Sequence, residues 1–503
     1  MSRLDPLPKL KTQQVEAGLK AVIKDGVASQ TMLTLTAGVF LIAFALKLGA
    51  SNVMIGLLAA IPPLTNLVQI PAILLVEKVR MRKKIAVYAA VSSRSFLLFI
   101  GIIPFVWSAN KALAFLLIGL LLHTILNSIL VCCWNSWMRD LIPQNQLGSF
   151  VSKRLSFATI PAIFLTLAAG MFIDAWTKQF PDQAIFSYSA LFILGFVAGI
   201  VGAYIISTIP EPEMIEPTDR INLMELILLP FKDINYRKLL MFLGSWNFAL
   251  NLAGPFFAVY LIKRLELGMA FVAGFTIISQ LSYLTFLRIW GRLTDKFSNK
   301  SVLTVSGTMN IFCILGWTFT TMPERYVLTI PLLIVIHIFM GIATAGVALA
   351  SGNIGLKLAP RGKATSYLAA ASIVNSVAAG VAPVLGGTFA EFFTRREFNW
   401  TIHWFSPGEE LTIQTLNFRG LDFFFFFAFL IGLYSIHRLA AVHESGEVSK
   451  EIVINEFLSL ATSRIRNLST IGGLRYLGQM PLVLGQKIKK KAAKNRKLKS
   501  DSP

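Results

Sequence analysis

The sequence predicts an all-α membrane protein, with twelve transmembrane helices in two six-helix halves related by a pseudo-two-fold along the membrane normal. Three observations lead there: an apolar excess, basic residues that alternate in density from loop to loop, and a constant offset at which the two halves align. Only 15% of the 503 residues are charged and 55% are hydrophobic. A soluble domain carries roughly 25% charged residues. The 47 lysines and arginines exceed the 26 acidic residues, a surplus expected on one side of a bilayer. Cys132, Cys133 and Cys313 stand in apolar runs and offer neither a disulfide framework nor metal spacing. Residues 1–26 are polar and basic and the first apolar run has span length, so no cleavable signal peptide is read.

A span needs about 20 mostly apolar residues. Twelve segments meet that length: 27–48, 53–76, 84–107, 112–137, 155–177, 186–209, 239–262, 269–290, 301–322, 327–356, 365–389 and 421–440. Backbone groups in lipid must bond within the segment, and these runs are too long for barrel strands, so they are expected to be helices. With the N-terminus inside, the inner loops and tails hold 36 basic residues and the outer loops nine, with Arg94 and Arg288 left inside spans. Both ends are therefore expected in the cytoplasm, the protein being integral to the cytoplasmic membrane.

The halves align at a nearly fixed spacing. Gly56 pairs with Gly274, Glu77 with Asp295 and Asn135 with Asn353; after one deletion come Pro143 with Pro360, Phe150 with Tyr367, Gly170 with Gly387 and Asp174 with Glu391. Six spans separate each pair, so the repeat is parallel rather than inverted. The expected organisation is a cytoplasmic segment 1–26, a first half 27–210, a connector 211–238, a second half 239–440 and a basic tail 441–503. The connector holds an amphipathic stretch around Asn222–Phe231.

Between the second and third spans of the second half the chain reads Gly291-Arg-Leu-Thr-Asp295-Lys-Phe-Ser-Asn-Lys300, and its first-half counterpart runs from Glu77 through Arg80 to Lys84. This loop resembles the signature of the major facilitator superfamily. Ser298 stands where that family usually has glycine, and the first copy lacks the leading glycine and carries Glu for Asp. The stretches Trp134–Pro143 and Lys357–Arg361 resemble bacterial members. The resemblance covers about residues 27–440 and implies a gate built from Glu77, Arg80, Arg292, Asp295 and Lys296. In it the loop carboxylates approach helix starts in the opposite half, Glu77 near Thr365 and Asp295 near Leu155, whenever the cytoplasmic side closes. An anion there is favoured by about 0.3–1 kcal/mol. The plainer alternative is that these charges are solvated and only set topology.

The resemblance further implies a cavity lined by spans 1, 4, 7 and 10. Those spans carry Gln30 and Thr34, then His123 and Asn127, then Trp246, Asn247 and Asn251, and finally His337. Polar groups at such depth usually face the bundle interior, where ordinary interhelical hydrogen bonds, worth about 0.6 kcal/mol, are the competing explanation. Arg94 falls ten residues into span 3, near the midplane, and suits an anion site, an internal ion pair or a structural bond to backbone carbonyls. Arg288 is expected to snorkel. No Asp or Glu falls inside any predicted span, which leaves His123 and His337, with ordinary pKa near about 6.5, as the groups that could couple a proton. The run Gly380–Gly387 is antiporter-like but lies in span 11 rather than span 5, so it reads as close helix packing and not as drug export.

Lys487–Lys499 is dense in lysine and suits anionic lipid headgroups; without interleaved aromatics, nucleic acid is not an expected partner. Trp400 and Trp404 in the outer loop 390–419 suit the membrane interface. No phosphate-cradling glycine run, paired membrane carboxylates or Cys/His metal set is present, so neither an enzyme nor a cofactor is expected. The reading is a monomeric secondary transporter moving a small solute, an anion among the options, by alternating access. The alternative is a facilitator-fold protein that assembles, handles pigment or senses without transport.

Overall fold

The computed structural model describes residues 4–8, 10–143, 147–214, 223–321, 325–360, 364–406 and 409–469. The first span is α1 (Thr12–Thr36) and α2 (Gly38–Lys47). They are broken where Ala37 turns extended and Gly38 takes a φ of 59°, a conformation that costs glycine little. The second span is α3 (Asn52–Thr65), which contains Pro62 and Pro63, then a tight turn and α4 (Gln69–Val79). Next come α5 (Arg82–Val106), α6 (Ala109–Leu141), α7 (Leu147–Gln179) and α8 (Ala184–Thr208), completing the first half. A short α9 (Leu223–Lys232) lies in the connector. The second half comprises α10 (Ile234–Val259), α11 (Met269–Lys296), α12 (Asn299–Trp317), α13 (Thr329–Leu358), α14 (Ala364–Phe393) and α15 (Leu421–Ala440).

Among the described residues 11 helical segments are long and apolar enough to cross a membrane. The ninth expected span, α12, has the length at 19 residues but carries Asn299, Lys300, Thr304 and Asn310, and falls short in apolarity. It still takes the ninth place, packed between α13 and α15. Two elements lie outside the span pattern. Strands β1 (Glu397–Ser406) and β2 (Glu409–Arg419) form an antiparallel hairpin before α15, with a bulge at Trp400/Thr401. Trp400 and Trp404 stand on it at 62% and 66% exposure. Helix α16 (Lys450–Ser469) docks on α11 and α12, stacking Phe457 on Trp290 at 4.6 Å. The lysine run 487–499 and residues Arg361 and Asn222 lie outside the described residues.

One difference from the sequence reading matters for chemistry. Helix α1 begins at Thr12 rather than near residue 27, so Asp25 stands inside the first helix at 2% exposure. The polar character of residues 1–26 concealed this, because Lys20 and Lys24 project outward from the same turns that bury Gly18, Val22 and Asp25.

The apolar core distinguishes the two ends of the bundle. At the end carrying the hairpin, one cluster joins both halves: Phe40, Phe44, Ile55 and Phe192 pack into the same core as Phe256, Val272, Trp317 and Phe424. At the end carrying the start of α1 and helix α16 the cores are separate. Val22, Ala86, Trp137 and Ile206 form one in the first half. Tyr236, Trp246, Trp290, Leu439 and, from α16, Val453 form the other. These ends are called below the hairpin face and the terminal face.

Candidate functional site: the contacts between the halves

On the hairpin face two carboxylates reach across the halves to helix starts. Asp174, near the end of α7, accepts the backbone N–H of Met269 at 2.7 Å and of Ala270 at 2.8 Å, capping α11. Glu391, near the end of α14, accepts the N–H of Asn52 at 3.3 Å, capping α3, and Asn52 Nδ2 donates to Thr394 Oγ1 at 3.2 Å. The first N–H groups of a helix lack internal partners, and an anion there also meets the positive end of the helix dipole. Close approach is needed for either bond. A Cβ on Gly170 would come within 2.8 Å of the Met269 carbonyl oxygen, and one on Gly387 within 2.6 Å of that of Asn52. The sequence-paired residues Gly170 and Gly387, Asp174 and Glu391 thus perform the same two tasks in the two halves.

The gate contacts expected on the terminal face are not made among the described residues. Asp295 and Arg292 are exposed and Glu77 half-buried, and neither carboxylate makes a hydrogen bond or ion pair among the described residues. Arg80 is exposed in a left-handed turn at φ 55°. Lys296 pairs with Glu456 of α16 at 2.8 Å. Leu155 is not at a helix start, because α7 begins at Leu147; α14 does begin at Ala364, beside Thr365.

The strong polar contacts on that face hold each half to itself. Glu211, just after α8, accepts the N–H groups of Arg82 and Lys83 at 2.8 and 3.0 Å and so caps α5. The Arg82 side chain is fully buried and bonds Glu211, Asp140, the Ser136 carbonyl and the Pro212 carbonyl. In the second half Glu444 accepts from Asn299 and Lys300 N–H at 3.2 and 2.7 Å, capping α12, and pairs with Lys357 at 2.9 Å. Lys357 occupies the repeat position of Asp140, so the cation has moved from the third helix of the half to the fourth. The repeat offset aligns Arg82 with Lys300 and Asp140 with Lys357, but not Glu211 with Glu444, which lie 233 residues apart, so the sequence alone did not point to these caps.

Inside the first half, Ser29 Oγ donates to Asp25 Oδ1 at 3.1 Å, Arg94 Nη2 to Ser29 Oγ at 3.4 Å, and Arg154 Nη2 lies 3.6 Å from Asp25 Oδ2. Arg94 is buried against Gly199 and Gly202, and its Nη1 has no partner among the described residues. The expectation that no carboxylate lies within a span is therefore corrected, and Arg94 belongs to an interior cluster with Asp25.

The expected cavity residues divide into two groups. Gln30, Thr34 and Asn127 are half-buried and make no side-chain hydrogen bond among the described residues. Asn247 and Asn251 are also half-buried. Asn247 donates to the Leu243 carbonyl and to Asn375 Oδ1, both at 2.9 Å, and Asn251 donates to the Asn247 carbonyl at 2.8 Å. The others are held within one half. The His123 Nδ1 lies 2.9 Å from the Ser93 carbonyl. Buried His337 bonds the Leu333 carbonyl at 2.8 Å and stacks on Phe275. Trp246 is buried, with its ring edge against Gly307. Gln280 on α11, not foreseen, has a buried Oε1 without a partner among the described residues.

Residues 26–383 match the profile of the Major Facilitator Superfamily. The chain belongs to that superfamily. No curated protein matches the sequence. Among solved structures, a point-mutant form of the nucleoside transporter NupG shares the fold at a TM-score of 0.65 and 12% identity, covering 86% of this chain and 100% of its own. A bacterial homolog of the human lysosomal transporter Spinster, inward-facing and unoccupied, aligns at 0.54 and 16% identity over 76% of this chain and 84% of its own. A bacterial metal transporter aligns at 0.57 and 12% identity, covering 86% and 99%. At these identities the likeness is one of fold, and superfamily membership places the chain among integral membrane transporters.

Proposed function

We propose that this superfamily member is a secondary transporter that moves a small solute by alternating access, and that its geometry here is the inward-open one. The terminal face is then cytoplasmic, in line with the excess of basic residues on that side. One observation carries the reading: the halves share a core and two capped helix starts on the hairpin face, while on the terminal face each half keeps its own core. Two such bodies can rock about a solute held between them. The half-buried amides and hydroxyl of Gln30, Thr34, Asn127, Asn247 and Asn251 are the proposed solute contacts. For ion coupling, the Asp25–Arg94–Arg154 cluster joins His123 and His337 as a candidate, because it places a buried carboxylate beside two arginines, one of them with a buried nitrogen that bonds nothing among the described residues.

Distances in lipid test this. Spin labels at Leu155 and Arg292 span the terminal face, and labels at Lys178 and Glu266 span the hairpin face. Alternating access predicts two populations at each face, with the long distance on one accompanied by the short distance on the other. One fixed distance at both faces under every solute and pH tried would sink the reading.

A further inference from the structure

On the hairpin face a cavity of about 430 Å³ opens beside the Asn52–Thr394 contact. Five of its lining side chains are basic, Lys263, Arg264, Arg395, Arg396 and Arg419, against one acid, Glu397. The loops expected on this side hold nine basic residues in all, so more than half of them meet at one cavity. The fold assembles them from separate segments. A π-type turn, Tyr260–Arg264, ends α10 and carries Lys263 and Arg264. The base of the hairpin supplies the opposite wall, where Glu397 pairs with Arg419 in register. Gly420, at φ 54°, turns the chain into α15, whose first residue also lines the cavity.

The acid is already engaged. Glu397 Oε1 accepts from Arg419 Nη2 at 2.6 Å, Asn399 Nδ2 at 2.7 Å and Asn417 Nδ2 at 3.3 Å. These bonds, Arg419's foremost, hold its carboxyl below the usual range. It remains an anion, and Asp422, behind the lining, accepts the Arg419 N–H at 3.1 Å and faces Arg264 and Arg419; five cations still stand against these two acids. Arg419 Nε has no partner, and Lys263 and Arg395 make no hydrogen bond or ion pair among the described residues. Arg396 is fixed over the Phe392 ring, 3.5 Å from its centre. Like charges gathered this closely repel one another, and an arriving anion with several acceptor oxygens relieves that repulsion through charge-assisted hydrogen bonds.

We propose that this cavity is an oxyanion-binding site, distinct from the transported solute's path, that takes the phosphate or carboxylate group of a free solute or of an anionic lipid headgroup. Asn52 and Thr394 both line it and bond each other across the halves. The five cations all belong to the second half, so the link to closure runs through Asn52, the lining residue from the first half: a ligand that also bonds Asn52 gains that contact only while the hairpin face is closed, and so favours that state.

The test uses the purified full chain. Inorganic phosphate is titrated against thermal stability at constant ionic strength, with chloride as the balancing anion. In a second arm, nanodiscs of phosphatidylcholine are compared with nanodiscs containing phosphatidylglycerol. The variant is Lys263→Gln/Arg395→Gln, both positions exposed, and the control is Lys47→Gln/Lys111→Gln, which removes charge outside the cavity. Saturable stabilisation by phosphate in the wild type and control, needing about tenfold more phosphate in the cavity variant, is the expected result. Stabilisation by phosphatidylglycerol alone, lost in the same variant, also supports the site and makes a lipid headgroup the ligand. No saturable response to either, or equal responses in wild type and cavity variant, overturns the proposal.

Discussion

The two faces of the bundle use the same device, a carboxylate on a helix start, for opposite purposes. On the hairpin face Asp174 and Glu391 cross between the halves and bind one to the other. On the terminal face Glu211 and Glu444 cap helices of their own halves and leave the interface free. The difference teaches that in a duplicated fold a cap can either stiffen a half or join two. Which it does depends on where the partner helix begins. The stiffening caps are the more elaborate: Arg82 is buried with four partners around it, whereas Asp174 accepts two hydrogen bonds and Glu391 one, beside the Asn52–Thr394 bond. Under the proposed alternating access the joining contacts are the ones that break, and they are the lighter of the two kinds.

Variants separate the two uses. The largest effect is expected for Arg82→Met, which leaves buried Glu211 without its cation and costs about 3–5 kcal/mol of stability. Thermal unfolding should fall sharply while the balance between the two faces stays unchanged in whatever protein folds. Asp174→Asn removes the charge from a cap with two short bonds and should release up to about 2 kcal/mol of hairpin-face closure. A single cysteine at Ala390, which is buried in the shared core, should then react up to about thirtyfold faster with a membrane-impermeant thiol reagent applied from that side, with Cys132, Cys133 and Cys313 replaced. Glu391→Gln acts through one longer bond and should give the same sign at about 0.3–1 kcal/mol, less than about fivefold. Smallest here is Asp295→Asn. Its carboxylate has no partner among the described residues, so under the proposed alternating access the loss is felt only when the terminal face closes, and reactivity at Ala390 should fall by no more than about fivefold. Opposite signs for Asp174→Asn and Asp295→Asn are the sharpest form of the comparison.

Much of the fold was legible because bilayer thickness and backbone satisfaction impose a simple ruler on the sequence. The ruler misjudged α1, where lysines on one side of a helix masked an aspartate buried on the other, and it overrated the apolarity of α12. The hairpin was missed although Phe398, Trp400 and Ile402 alternate with polar residues, since a 30-residue loop between spans reads first as a connector. Helix α16 was missed because its docking depends on Trp290 and Phe457 meeting across 167 positions of chain. The site was half legible. Gly170 with Gly387 and Asp174 with Glu391 were visible as repeat partners, yet nothing local in the sequence says that their targets are Met269 and Asn52 in the other half. Glu77 and Asp295, which the signature loop marks, have no hydrogen-bond or ion-pair partner among the described residues.

The central claim is that Asp174 and Glu391 hold the hairpin face shut. It is tested most directly by measuring distances across both faces, with the label pairs Lys178/Glu266 and Leu155/Arg292, in the wild type and in Asp174→Asn/Glu391→Gln in the same lipid. The account predicts that the variant lengthens the hairpin-face distance and shortens the terminal-face distance in matching proportion. Identical distributions in the two proteins would contradict it.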